Sequence, residues 1–280
     1  MNNVFKFKVA VGYCIIFYLL MVYKLFNGML LFQLQPVFFF VRSDISSWIF
    51  MQTGLHQWVF NHKIGAILAD AIFYSLPLLY LLTLLFRPKY ALAVAVSMVL
   101  LNWMYVECYS LYPIVLIHWH TAWLIFPFVF LGNKPRTFSL LFEGLRYFFI
   151  FFFFSSGVWK IVVGGVFYTE QMSGVLLFQH TEQLANSPEY WQTRFFLWMI
   201  RHTWVSQAVY IAACLLQLSF IVGFFTKRYD RWLVAGFLVF LACDYLLMRI
   251  PYFEVAALLL PLLLTDRSIP QPEKTPGVAA

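Results

Sequence analysis

Charge is what this chain has least of: Asp, Glu, Lys and Arg supply 11% of the residues, against 62% that are hydrophobic. So little polar surface cannot cover a water-soluble globule, which excludes the soluble enzyme and binding classes and leaves an integral membrane protein. Alternation with a period of two is missing as well. Strands of an outer-membrane barrel would be about 10 residues long and alternating. The apolar runs here last about 20 residues, the length at which a helix crosses a bilayer. The fold class that follows is an all-α polytopic membrane protein.

Cysteine is sparse too. Cys14, Cys108, Cys214 and Cys243 stand far apart, with no CxxC pair and no histidine at zinc-ligand spacing. Neither a metal site nor a redox dithiol is expected, and the four read as small apolar residues. Cys108 and Cys243, both toward the outer ends of their helices, are the pair that a disulfide could join in an oxidising compartment. No P-loop, GxSxG, HExxH or internal repeat is present, and Gly164 and Gly165 follow no strand that would make them a nucleotide fingerprint. The net charge of +7 does not point to nucleic acid, because the basic residues lie in short loops between apolar runs, where they set topology.

What is there is a series of about eight apolar stretches: Val9 to about Leu34, then Ile64–Phe86, Tyr90–Tyr109, Tyr112–Leu131, Phe138–Val163, Trp204–Phe225, Trp232–Met248 and a short Tyr252–Leu264. Placing the N-terminus in the cytoplasm puts Lys6, Lys8, Arg87, Lys89, Lys134, Arg136, Arg146, Lys227, Arg228, Arg231, Arg267 and Lys274 inside. Only Arg42, Lys63, Arg194, Arg201 and Arg249 then fall outside, while Lys24 and Lys160 lie within spans. The bias predicts a multi-pass protein of a bacterial inner membrane with both termini cytoplasmic. Residues 1–265 read as one transmembrane helical domain, and 266–280 as a short disordered cytoplasmic tail.

Two longer segments lie outside. In Val41 to Lys63, Ser43 and Asp44 can cap a helix whose Ile45, Trp48, Ile49, Leu55 and Trp58 form an apolar stripe, as expected of a helix lying in the interface. In Gly164 to Thr203, Ser187 and Pro188 carry an N-cap signature ahead of the aromatic Tyr190, Trp191, Phe195, Phe196 and Trp198. Both read as re-entrant or surface helices, or as aromatic anchors at the headgroups. The run FFIFFFF at Phe148–Phe154 reads as lipid-compatible packing.

Polar residues inside the spans crowd the outer halves. They are Lys24 and Asn27, Asp70, Glu107, His118 and His120, Lys160 and Asp244, with Glu254 just past a last turn. Such groups avoid lipid and mark functional sites more often than chance. A channel or proton wire needs wettable groups in the cytoplasmic half as well. One outward-facing polar pocket is the expectation, and a transporter is the weakest reading. Asp70, Glu107, Arg249 and Glu254 lie near an interface, where plain hydration suffices. Pairing of Lys24 or Arg249 with Asp244 or Glu254, and of Asp70 with Lys63 or Lys24, is the structural alternative.

Lys160 is the most informative residue. It ends the apolar run Tyr147–Trp159, where a charged side chain costs roughly 2.5–3.5 kcal/mol at the bilayer centre. It needs a partner, a wet cavity or a neutral amine, and a neutral amine is a base. The plainer reading is that it snorkels to the interface, since Gly164 and Gly165 soon end the helix. His118 and His120 stand about 200° apart on a helix, so only one can share a cavity with it.

The stretch FFSSGVWKIVVGG followed by MSGVLL, the segment HTAWLIFPFVFL from His120 and the segment LLQLSFIVGFFTKRYDR resemble the HTTM membrane domain that vitamin K-dependent gamma-carboxylases share with many bacterial proteins. The resemblance implies that Lys160 is the basic lysine that takes a proton from a reduced naphthoquinone. His120, or His118, would be the associated histidine. Lys24, Asn27 and Trp159 complete the residues expected around a bound vitamin K-like quinone, and no metal is implied. The departures are specific. Trp159 replaces a second lysine, Phe167 or Tyr168 stands where a tryptophan is usual, and Gln217 stands where relatives often carry an acid. Only a short tail follows Leu264, without the outer domain that holds protein substrates. The expected partners are membrane lipids and a lipid-soluble quinone. The rival expectation is a noncatalytic lipid-binding or assembly protein.

Overall fold

A computed structural model describes residues 3–34, 45–111, 121–250 and 252–264, and all regular structure among them is helical. Among the described residues, six helices are long and apolar enough to cross a membrane. They match six of the eight expected stretches, because uninterrupted hydrophobicity at helical length leaves the backbone no other way to satisfy its polar groups. The other two, Thr121–Leu131 and Phe253–Leu263, are shorter apolar helices. The chain divides into two compact units, Met1–Leu145 with Phe253–Ala280, and Arg146–Tyr252.

The first unit begins with α1 (Asn3–Phe26), followed by the short α2 (Ile45–Gln52) and α3 (Leu55–Asn61), the long α4 (Lys63–Phe86) and α5 (Ala91–Ser110), and α6 (Thr121–Ile125). Its core is aromatic. Tyr13 stacks on Phe126 at 4.6 Å, Phe17 meets the edge of Trp123 at 4.9 Å, and Phe73 lies flat on Tyr105 at 3.8 Å. Pro77 sits inside α4, where it removes one backbone donor and crowds the preceding turn. In that turn the Tyr18 hydroxyl donates to the Tyr74 carbonyl at 2.6 Å, and Cys14 approaches the Pro77 carbonyl at 3.4 Å.

The first helix is displaced from its expected place: it spans Asn3–Phe26, not Val9 to Leu34. Gly28 at φ 67° turns the chain out of the helix, a conformation that costs glycine nothing. Lys24 therefore lies in the last turn of α1 instead of deep within a span. The first outer segment is two helices, not one, because Gly54 at φ 70° separates α2 from α3. The stripe Ile45, Trp48, Ile49, Leu55 and Trp58 is exposed. Ser43 and Asp44 lie outside the described residues.

Helix α7 (Pro135–Val162) starts in the first unit and ends in the second. The second unit continues with α8 (Gln171–Gln179), α9 (Thr181–Asn186), α10 (Trp191–Arg201), α11 (Thr203–Ser219), α12 (Val222–Phe225) and α13 (Asp230–Met248). The chain then returns to the first unit through a 3-10 segment, Phe253–Leu259, and α14 (Leu260–Leu263). Ser187 and Pro188 do not start a helix. They form the turn before α10, which opens at Trp191 without a side-chain cap.

The phenylalanine run is more than lipid-compatible. Phe149 and Phe153 are buried and meet Phe220 and Phe237 edge-to-face, Phe153 also meets Phe240, and Phe151 on the opposite side is exposed. Spacing by four selects one helix face for packing. All four cysteines are free thiols, so Cys108 and Cys243 form no disulfide.

Candidate functional site

In the second unit, α7 and α11 cross at Gly157. A Cβ there would lie 3.0 Å from Gln217 Cβ, 3.2 Å from the Leu218 nitrogen and 3.3 Å from the Cys214 oxygen. Two of those three atoms are backbone, so the close approach depends on glycine. One turn further along α7, Lys160 Nζ donates to Gln217 Oε1 at 2.7 Å and approaches Ser156 Oγ at 3.3 Å, and Gln217 Nε2 donates to Ser156 Oγ at 3.2 Å. The glutamine amide is thus held at both ends, with its carbonyl aimed at the amine. Replacing Gly157 by Leu is expected to wedge α7 from α11 and lower stability by about 1–3 kcal/mol. A thermal unfolding midpoint in detergent equal to that of the unsubstituted protein would contradict this.

Lys160 is half-buried and does not reach freely into solvent. Asp244 on α13 and Cys214 on α11 lie within its electrostatic reach. Asp244 Oδ2 is buried and has no hydrogen-bond partner. Gln217, noted in the sequence only as a departure from an acidic position, is the direct partner of Lys160. The acid near the amine comes instead from α13. Trp159, the neighbour of Lys160 in sequence, is 65% exposed. His118 and His120 lie outside the described residues.

Lys24 and Asn27 belong to the first unit. Asn27, just past the end of α1, is exposed and its side chain donates to the Tyr23 carbonyl in the last turn of that helix at 2.7 Å. Lys24 is buried, forms an ion pair with Glu254 at 2.9 Å and lies 5.0 Å from the centre of the Tyr109 ring. Of the pairings open in the sequence, Lys24 with Glu254 is formed.

Hydration is not what holds the neighbouring acids. Asp70 accepts from the backbone of Leu31 and Phe32 at 3.2 and 3.0 Å and from the Tyr105 hydroxyl at 2.7 Å. Glu107 accepts from Ser46, Ser47 and Trp103 at 2.7, 3.0 and 3.1 Å. Asp70, Glu107 and Glu254 are each buried, and a buried carboxylate persists only where donors or a cation replace water. Arg249 is exposed and donates to Gln192 at 2.7 Å.

Arg146 also departs from expectation. Counted with the cytoplasmic loops, it is 1% exposed inside α7. Its guanidinium makes a two-pronged contact with Asp230 at 2.8 and 2.6 Å and reaches the Gly223 carbonyl at 2.9 Å. The sequence signal was an arginine eight residues inside the span that starts at Phe138, with Asp230 just ahead of the later span that starts at Trp232.

No group of three or more His, Cys, Asp or Glu that could hold a metal occurs among the described residues. No family model, curated protein or solved structure matches the chain.

Proposed function

We propose that this is an HTTM-like inner-membrane protein with eight membrane-embedded helical segments, both termini in the cytoplasm and surface helices on the outer side. Within the second unit it carries out quinone-linked, carboxylase-like chemistry with Lys160 as proton acceptor. The observation that carries the reading is the fixed Lys160–Gln217–Ser156 arrangement inside a membrane-spanning helix. Lys160 lies in the last turn of α7, and its amine is turned to an amide that is itself pinned instead of being left to the interface.

The residues present suit a flat aromatic diol. Phe240, half-buried on α13 and braced by Phe153 at 4.9 Å, supplies an aromatic ring, and Asp244 offers a buried carboxylate oxygen without a partner. When bound, the reduced quinone supplies an acidic hydroxyl and reducing equivalents. Lys160 Nζ, as the free amine, takes the hydroxyl proton, and the ammonium that forms is stabilised by Gln217 Oε1 and by the nearby Asp244. The apolar walls keep water from competing for that proton.

Substituting Lys160 with Met removes the base and keeps the apolar stem. Turnover of a reduced naphthoquinone in membranes containing the variant is expected to fall at least about 100-fold, the low end of general-base contributions. Unchanged turnover would refute the role. The rival reading, a noncatalytic lipid-binding or assembly protein, is favoured by the hydrogen bonds that already satisfy Lys160. Mass spectrometry of the purified protein that finds a retained phospholipid or protein partner, and no quinone, would support it.

A further inference from the structure

We propose that Asp244 recognises the ligand through a hydrogen-bond donor, its free Oδ2 accepting from a ligand hydroxyl held between α13 and Lys160. This rests on the quinol reading of the same site. The two helices run side by side and in the same direction, since Phe149 meets Phe237 while Phe153, one turn on, meets both Phe237 and Phe240. Lys160 lies seven residues beyond Phe153 and Asp244 four beyond Phe240. Both spacings keep a residue on the face it started from. The amine thus stands two turns above Phe153 and the carboxylate one turn above Phe240, and they act on each other electrostatically.

They do not close on each other. The lysine amine is taken up by Gln217 and Ser156, and Asp244 Oδ2 is left buried without a donor. Asp70, Glu107 and Asp230 all receive donors at both carboxylate oxygens or from several groups. Glu254 has the Lys24 ammonium. An acceptor that has lost its water and gained nothing is unfavourable unless something else supplies the donor. A hydroxyl does so, and a carboxylate rejects an analogue in which that hydrogen is replaced by methyl.

The test measures binding, separately from turnover. Quenching of tryptophan fluorescence in purified protein is titrated with menadiol and with menadiol dimethyl ether, which has no O–H. Unsubstituted protein is expected to prefer menadiol by about tenfold, as for one charge-assisted hydrogen bond. In D244N the preference is expected to drop below about threefold with affinity for the ether unchanged, and D244E is expected to restore part of it. A ratio of two ligands on one protein is insensitive to partial loss of folded material. A second measurement needs no variant: menadiol, and not its ether, should protect Asp244 from a hydrophobic carbodiimide, read by peptide mass spectrometry. Equal binding of the two compounds, no binding of either, or a preference that survives in D244N would overturn the assignment. A preference that depends on Asp244 while K160M keeps full turnover would sink the role of Lys160 and leave that of Asp244 standing.

Discussion

Replacing Arg146 with Met is expected to destabilise the second unit by about 3–5 kcal/mol, because it strands the Asp230 carboxylate without its cation. The pair is almost fully buried, with side-chain exposures of 1% and 7%. The same guanidinium also serves the Gly223 carbonyl at 2.9 Å and the Thr226 carbonyl at 3.3 Å. Those carbonyls lie at the α12 turn, where the helical ladder stops and each needs an outside donor. One side chain therefore ties α7 to the start of α13 and to the turn between α11 and α13. Lysine is not expected to substitute, since a single ammonium cannot reproduce a planar fork with several donors. The check is the unfolding midpoint in detergent, together with the yield of monodisperse protein. A variant R146M that purifies with an unchanged midpoint would remove the pair from the account of stability.

Replacing Lys24 with Met is expected to have a similar effect in the first unit, again about 3–5 kcal/mol. Glu254 is buried, and its Oε2 has no hydrogen bond, so the ammonium at 2.9 Å from Oε1 is what keeps the charge tolerable. The double variant K24M/E254M should recover most of the loss, because two apolar side chains of similar volume need neither desolvation nor pairing. A double variant as unstable as the single one would show that Lys24 acts through other contacts, such as the Tyr109 ring. Buried pairs of this kind are weak evidence for stability relative to apolar residues, and strong evidence for cost when one partner is lost.

The six long spans were legible because bilayer thickness and apolar run length are tied by helix geometry alone. Lys160 was legible for a related reason: a charge in an apolar run needs an explanation whatever surrounds it. The partners were not legible. Nothing local links Lys24 to Glu254 or Arg146 to Asp230, which stand 230 and 84 positions apart in the numbering. Asp70 was assigned to water because its depth suggested an interface. Its donors come from the Leu31–Phe32 backbone, and that turn exists because Gly28 bends the chain about six residues before the apolar stretch ends at Leu34. Glu107 was missed in the same way, since its serine donors sit on α2 at positions that read only as filler between the tryptophans and isoleucines of an apolar stripe. Periodicity identifies which face of a helix is apolar, and it is silent about which polar group will meet which.

Tyr18 and Pro77 show how a defect becomes a locating device. Proline withdraws the donor that would have served the carbonyl of Phe73, and beside it the hydroxyl of Tyr18 has taken up the carbonyl of Tyr74. Between greasy surfaces that would otherwise slide, such a point of attachment sets the relative height of α1 and α4. A shift by one helical step would set the Tyr18 hydroxyl against hydrocarbon with nothing to bond. The imperfection in one rod thus indexes the other.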